Sequence, residues 1–184
     1  MIEISQKSDR MIQGLNILFT GEGKGKTTAA MGTMLRAHGQ GLSVGVIQFI
    51  KSPQRVYGEA RTAEKLGIPF SSLGNGFVRT QKDQDDARQF ALNAWEEARR
   101  WIASRRYDLL VLDEVTYLFH FKWLDVHNFL DWIRPNKPPA MHLVMTGRYA
   151  PPELADFADL VTEMREVKHP FREQGIPAQL GVDF

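Results

Sequence analysis

The sequence predicts an α/β fold in which a mainly parallel central sheet is flanked by helices on both faces. Three observations support this prediction. Apolar strand-like runs alternate with helix-like segments along almost the whole chain. The run Leu109–Leu112 lacks polar alternation, which is typical of a strand buried on both faces. A glycine-rich loop stands between the first strand-like run and the first helix-like segment.

The individual elements follow from their residue patterns. Six short apolar segments are predicted to be strands, at Leu15–Thr20, Ser43–Phe49, Phe70–Leu73, Asp108–Leu112, His142–Met145 and Asp159–Met164. A helix is predicted over Lys26–His38, with Gly39 as its carboxyl-terminal cap. A second helix is predicted over Asp83–Ser104, where apolar residues at helical spacing form one stripe facing the core. The stripe comprises Ala87, Phe90, Ala91, Ala94, Trp95, Ala98, Trp101 and Ile102.

Composition narrows the possible functions. The 23 lysines and arginines nearly balance 22 acidic residues, leaving a formal charge of +1. This balance argues against a nucleic-acid protein that binds through bulk charge. The absence of cysteine excludes disulfides, thiolate metal sites and cysteine nucleophiles. No apolar run approaches the roughly 18 residues that span a bilayer, so we expect a cytoplasmic protein without membrane contact.

The chain length favours one domain. At 184 residues it is only slightly longer than the ~150 residues typical of a domain. Residues 1–13 lack clear periodicity and are predicted to be a mobile arm, leaving residues 14–184 as the domain. The tail from Glu166 to Phe184 contains two prolines and two glycines, which predicts an irregular but ordered wrap.

The glycine-rich loop has the context of a phosphate-binding P-loop. A strand, the loop, the pair Lys26–Thr27 and a helix follow one another, as the P-loop NTPase (RecA-like) class requires. Glycines let backbone N–H groups converge on phosphate oxygens, while Lys26 supplies a charge and Thr27 a Mg²⁺ ligand. The spacing is a variant, because Thr20 stands where the common pattern has glycine. The candidate phosphate-binding residues are Gly21, Glu22, Gly23, Lys24, Gly25, Lys26, Thr27 and Thr28.

Two carboxylates end the apolar run Leu109–Leu112. In P-loop folds such a strand lies beside the loop and holds the metal. The general nucleotidase interpretation gives Asp113 to Mg²⁺ and makes Glu114 the base that activates water. Arg148 follows another predicted strand, at the sheet edge where ligands of open α/β folds bind. It is a candidate phosphate ligand, and a surface salt bridge is the alternative.

Seven segments form a pattern that runs from about residue 14 to the carboxyl terminus. They are Phe19–Ala30, Gly45–Lys51, Gly76–Phe77, Val111–Tyr117, Thr146–Arg148, Val167–Phe171 and Ala178–Phe184. In content and order these segments resemble the cob(I)alamin (corrinoid) adenosyltransferases. The loop sequence Gly-x-Gly-Lys-Gly-Lys-Thr-Thr and the closing Lys-His…Ala-Gln-x-Gly segment are specific to this family among P-loop proteins.

The resemblance implies that cobalt(I) of a reduced corrinoid attacks C5′ of ATP and expels triphosphate. Cobalt(I) is itself a strong nucleophile, so positioning and leaving-group stabilisation are the protein's tasks. In this family Glu114, with Thr27, would hold Mg²⁺ or Mn²⁺, in conflict with the general assignment of Asp113 as ligand. We follow the family here, because a transferase must not activate water beside ATP. A reductase such as a flavoprotein and a homodimeric state are implied as well.

The resemblance also assigns catalytic roles. Lys26 would act on the triphosphate, and Phe77 would press on the lower face of the corrin ring to displace its axial ligand. Family members commonly carry Trp two residues after that Phe, whereas this chain has Arg79. Two other functions are consistent with the loop and the acidic strand end alone. One is a P-loop ATPase or small-molecule kinase, and the other is a nucleotide-dependent regulatory module without enzymatic activity.

Overall fold

A six-stranded parallel sheet forms the centre of the molecule. The computed structural model describes residues 13–51, 57–74 and 81–183. The strands are β1 (Asn16–Thr20), β2 (Val44–Gln48), β3 (Phe70–Ser72), β4 (Leu109–Asp113), β5 (His142–Thr146) and β6 (Leu160–Glu163). They lie in the order β3-β2-β4-β5-β1-β6, and every neighbouring pair is parallel. The predicted α/β class with a mainly parallel sheet is confirmed.

Helices cover both faces of this sheet. They are α1 (Lys26–Gly39), α2 (Gly58–Lys65), α3 (Gln81–Ala103), α4 (Tyr117–His120), α5 (Val126–Asn136), α6 (Pro152–Phe157) and α7 (Pro170–Gln174). Buried side chains of α1 and α2 join one core cluster, and those of α3 to α6 join another. Each cluster also takes alternate residues of the central strands, such as Val111 on one side and Leu112 on the other. The sheet is therefore buried between two helical layers.

The central strands explain the uninterrupted apolar runs of the sequence. All five residues of β2 and all five of β4 are buried. At the other extreme, all four residues of the edge strand β6 are exposed. Parallel strands end at the same edge, so the segments that follow β1, β2, β4 and β5 meet there. This edge positions the functional site.

Helix α3 departs from its predicted stripe at one residue. Six of the eight predicted core side chains are buried, and Trp101 is half-buried with its ring stacked on Tyr107 at 5.0 Å. Phe90 is 43% exposed, so its assignment to the core is wrong. At ~100° per residue it points roughly 90° away from the centre of the buried face.

The end of α1 and the carboxyl-terminal tail also differ from the prediction. Gly39 is the last residue of α1 rather than its cap; Gln40 caps the helix, and the left-handed turn falls on Gly41, with φ of 81°. Because a residue without Cβ adopts that conformation at little cost, the chain turns two residues later than predicted. The tail is not wholly irregular, since it contains α7, whose first residue, Pro170, suits a helix start.

Some predictions fall on residues that the structure does not describe. They concern residues 1–12 of the arm, Phe77, Arg79 and Phe184. Within the described ranges, no helix is both long enough and apolar enough to cross a bilayer.

Candidate functional site

The glycine loop is shaped by its contact with the chain that follows β6. Gly21 and Gly25 have φ of 95° and 109°, values that favour glycine. A Cβ on Gly21 would lie 2.5 Å from the carbonyl oxygen of Met164, and one on Gly23 would lie 2.7 Å from that of Arg165. The Gly23 N–H donates to the Met164 carbonyl at 2.7 Å. These glycines therefore allow a close backbone approach that side chains would prevent.

Lys26 lies across the inside of this loop. Its ammonium donates to the carbonyl oxygens of Gly21 and Gly23, each at 2.6 Å. Burial and the nearby charge of Arg148 lower the pKa of Lys26, although neighbouring carboxylates oppose the shift. Phosphate oxygens are stronger acceptors than these carbonyls, because their hydrogen bonds to a cation are charge-assisted. The lysine is thus positioned to exchange backbone acceptors for a triphosphate.

The carboxylate of Asp113 is buried and fully bonded at the end of β4. Its Oδ1 accepts hydrogen bonds from Thr27 at 2.9 Å and Thr146 at 2.7 Å. Its Oδ2 accepts one from Gln48 at 2.9 Å and lies 3.7 Å from the Lys51 ammonium. Groups from β2, the segment after it, β5 and the start of α1 therefore converge on this one side chain, and both of its oxygens are occupied by the protein.

Glu114, the next residue, has a different environment. Its backbone has φ of 64°, an uncommon value for a residue with a side chain. Its N–H donates to Thr146 Oγ1 at 2.9 Å, but among the described residues none donates a hydrogen bond to its carboxylate. Burial and the charge of Asp113 raise the pKa of Glu114 to about 7, against the opposing charges of Lys51, Lys26 and Arg148.

Arg148 is held beside the glycine loop by the turn that follows β5. A Cβ at Gly147 would lie 2.0 Å from Thr116 Oγ1, and that hydroxyl donates to the Arg148 carbonyl at 2.6 Å. The Arg148 guanidinium lies 3.4 Å from the carboxylate of Glu22. Arg148 therefore forms a surface salt bridge, one of its two predicted roles, and also borders the candidate phosphate site, as the other role requires.

The structure adds residues that the sequence interpretation did not place in the site. Gln48, Lys51 and Thr146 all contact Asp113 or its neighbour, and Lys51 also donates to Glu59 at 2.7 Å. Burial alone would lower the pKa of Lys51, but the charges of Asp113 and Glu59 outweigh it and raise that pKa. A polar residue ending an otherwise apolar strand, such as Gln48, was the available signal.

The remaining predicted residues differ in their placement. Glu22, Lys24 and Thr28 are exposed on the loop or the first turn of α1. Lys24 forms an ion pair with Asp183 of the tail. Within the described ranges, no group of three or more histidines and carboxylates could hold a metal on its own.

A glycine loop between β1 and α1, beside an Asp-Glu pair at the carboxyl edge of a parallel sheet, defines a P-loop nucleotide-binding protein. Comparison with known proteins gives the finer class. The family described as ATP:corrinoid adenosyltransferase BtuR/CobO/CobP matches residues 12–184. The chain belongs to this family.

Several similar proteins are themselves named corrinoid adenosyltransferases. A corrinoid adenosyltransferase of Sinorhizobium sp is 42% identical over 94% of this chain and 81% of its own length. One from Escherichia coli K12 is 35% identical, covering 98% and 90%, and the corrinoid adenosyltransferase CobA of Salmonella typhimurium LT2 is 37% identical, covering 94% and 86%. The flagellar accessory protein FlaH of Methanocaldococcus jannaschii has a TM-score of 0.59 over 83% of this chain and 72% of its own, at 8% identity. That likeness concerns the fold alone.

Proposed function

We propose that this protein is an ATP:corrinoid adenosyltransferase. Cobalt(I) of a reduced corrinoid attacks C5′ of ATP, a cobalt–carbon bond forms, and the bond between C5′ and the α-phosphate oxygen breaks. The electron pair of the broken bond leaves with triphosphate. The proposal is supported by family membership over residues 12–184 and by the phosphate loop.

The observation that carries the site assignment is the contrast between Asp113 and Glu114. Four groups of the chain already surround the two oxygens of Asp113, whereas the half-buried Glu114 carboxylate accepts no hydrogen bond from a described residue. A partly desolvated carboxylate whose pKa is raised gains from a cationic partner, so this is the group that a bound cation would neutralise. Asp113 instead orients the hydroxyl of Thr27.

The donor set suits Mg²⁺ or Mn²⁺, which prefer oxygen ligands and complete their shell with phosphate oxygens and water. Glu114 and Thr27 would hold the ion, which would supply charge neutralisation to the triphosphate. A carboxylate engaged in this way is not free to act as a base toward water. This favours alkyl transfer over hydrolysis at the same phosphate loop.

The residues of the chain provide positioning and charge for the leaving group. Lys26 lies inside the loop, and Arg148 and Lys24 border it. The departing triphosphate accumulates negative charge, which fixed cations in a partly buried site stabilise without reorganisation. Holding C5′ near cobalt supplies the rest, since the nucleophile comes with the substrate.

Other parts of the proposal rest on the family resemblance. Phe77 would displace the lower axial ligand of the corrinoid, and Arg79 would stand where the family commonly has Trp. A homodimer, an electron-donating flavoprotein or other reductase, and a cytoplasmic location follow the same pattern. The location fits an enzyme that needs both ATP and a strongly reduced cobalt.

The test is anaerobic incubation with ATP, Mg²⁺ and chemically reduced cobalamin. We expect the absorption spectrum of an alkylated corrinoid together with triphosphate in equal amount. A P-loop ATPase or kinase would release ADP instead, and a regulatory module would leave ATP intact. Either of these results would contradict the proposal.

A further inference from the structure

Lys24, on the glycine loop, is tied to the far end of the chain. Its ammonium donates a hydrogen bond to Oδ1 of Asp183. The other oxygen of that carboxylate accepts from the backbone N–H of Gln179 at 2.7 Å, which fixes its orientation. The hydrogen bonds from Lys24 and from the Gln179 N–H keep the pKa of Asp183 below its usual range. The tail therefore presents a fixed negative charge to the loop.

This contact stands apart from the others made by the tail. The carbonyl of Gln179 accepts from the N–H groups of Val182 and Asp183 at 3.3 and 2.9 Å, closing a turn that aims the carboxylate. Val167, Leu180 and Val182 are 80–89% exposed. Within the described ranges, the Lys24–Asp183 pair is the one ion pair or hydrogen bond that joins residues 165–183 to the preceding domain.

The location of the pair gives it a consequence for ligand binding. Lys24 stands between Gly23 and Gly25, in the loop that borders Lys26. Its side chain is 54% exposed, so its pairing with Asp183 is screened by water and easily exchanged. A polyphosphate reaching the loop would meet both a cation already engaged and a carboxylate that repels it.

We propose that Asp183 is an internal counter-ion of the glycine loop, whose carboxylate competes with polyphosphate for Lys24 and so weakens the hold on the triphosphate product. This inference rests on the proposed function. Breaking the C5′–O bond converts the esterified α-phosphate of ATP into a free phosphate group, so triphosphate carries more negative charge than the triphosphate chain of ATP. Electrostatic attraction alone would then make the product bind tightly. The return of Asp183 to Lys24 counteracts this, and the tail is released while polyphosphate is bound.

The test uses the full chain with inorganic tripolyphosphate and Mg²⁺, without corrinoid. Asp183→Asn keeps the shape and a hydrogen-bond acceptor but removes the charge, so we expect tripolyphosphate to bind about three- to fivefold more tightly. Asp183→Glu should restore binding as in the parent protein. Glu166→Gln, which removes a charge from the ion pair with Arg172 inside the tail, is the matched control and should leave binding unchanged.

Hydrogen exchange over residues 177–183 provides a second readout. In the parent protein, exchange should rise when tripolyphosphate is added, whereas in Asp183→Asn it should already be fast. Because a damaged tail would also free Lys24, the Asp183→Glu variant, which restores the charge, distinguishes loss of the carboxylate from structural damage. Unchanged or weaker binding by Asp183→Asn overturns the competition. If the parent protein binds no tripolyphosphate, or if Lys26→Ala binds it equally well, the phosphate-loop assignment fails and the competition with it.

Discussion

Two aspartates near the glycine loop are held in opposite ways. Asp113 is buried, and hydroxyls, an amide and a lysine from α1, β2, the segment after β2 and β5 surround it. Asp183 lies on the exposed tail and, among the residues that the structure describes, reaches the loop through Lys24 alone. Charged hydrogen bonds in a buried site are strong and costly to break, whereas those at the surface are weak and exchangeable.

The comparison separates two tasks at one site. The buried edge, defined by Asp113 and its bonded neighbours, fixes the geometry of Thr27 before any ligand arrives. The exposed tail, residues 165–183, can change its contacts at little cost. The predictions below test this contrast, beginning with the change that should affect the protein most.

Lys26→Ala removes the cation that lies inside the loop. We expect adenosyl transfer to fall by at least about a hundredfold, because charge on the departing triphosphate loses its partly buried partner. Calorimetry with ATP and initial rates check this. Lys65→Ala, which removes an exposed lysine from the end of α2, is the control and should behave as the parent. Normal binding and turnover by the Lys26 variant would show that the loop does not hold the phosphates.

Two substitutions compare how much the buried edge and the exposed tail each contribute to the stability of the fold. Leu112→Ala, in the fully buried strand β4, should lower the free energy of unfolding by about 2–5 kcal/mol. Val182→Ser should change it by no more than about 0.5 kcal/mol, since that side chain is 80% exposed. Chemical denaturation measures both. A comparable loss for Val182→Ser would mean that the tail is covered in solution, and dependence on protein concentration would identify a second copy as the cover.

Glu114→Gln and Asp113→Asn test which carboxylate of the acidic pair binds the metal. Glu114→Gln should raise the Mg²⁺ concentration needed for half-maximal activity by at least about tenfold, as it replaces a ligand. Asp113→Asn should change that concentration less and instead cost about 1–3 kcal/mol of stability, because buried donors lose an ionised acceptor. Metal titrations decide the ranking. The reverse order would restore Asp113 as the ligand and Glu114 as a base.

Phe77→Ala tests a residue outside the described ranges. Starting from cobalt(II), its activity should fall by at least about tenfold, because the axial ligand that makes cobalt(II) hard to reduce would no longer be displaced. Starting from chemically formed cobalt(I), activity should largely survive. Equal losses in the two assays would make Phe77 a structural residue. Arg79→Trp should ease the reduction of cobalt(II) if the departure from the family pattern has a functional cost.

The smallest effect concerns the Lys51–Glu59 pair. Burial would raise the pKa of Glu59, but the hydrogen bond and charge of Lys51 outweigh it and lower that pKa from its usual 4.5. The pair therefore stabilises the fold above about pH 4.5 and loses this contribution as the pH falls through the lowered pKa. Near pH 7 Glu59→Gln should be less stable by about 1 kcal/mol. Denaturation at pH 7 and pH 3.5 measures the difference, which should shrink in acid; a constant difference would contradict the assignment.

The fold and the loop were predictable because their signals are local. Uninterrupted apolar runs such as Leu109–Leu112 indicate central strands, and glycines before Lys26 indicate the phosphate loop. Phe90 was misassigned because periodicity gives a helical face but not how wide a stripe the sheet covers. The cap of α1 moved from Gly39 because several nearby residues can end a helix.

The bonding of the site depends on distant residues, which local patterns do not reveal. Asp113 and Glu114 are neighbours in sequence, and only the meeting of Gln48 and Thr146 around one of them separates their roles. The Lys24–Asp183 pair joins residues 159 positions apart. Spacing alone gave no signal for either contact.

Adenosyl transfer in water enriched in oxygen-18 tests the central claim most directly. The reaction contains ATP, Mg²⁺ and pre-reduced cobalamin, and the phosphates are analysed by mass spectrometry. Cleavage between C5′ and oxygen predicts unlabelled triphosphate, equal in amount to the alkylated corrinoid. ADP together with phosphate carrying solvent oxygen would show hydrolysis at phosphorus and contradict the account.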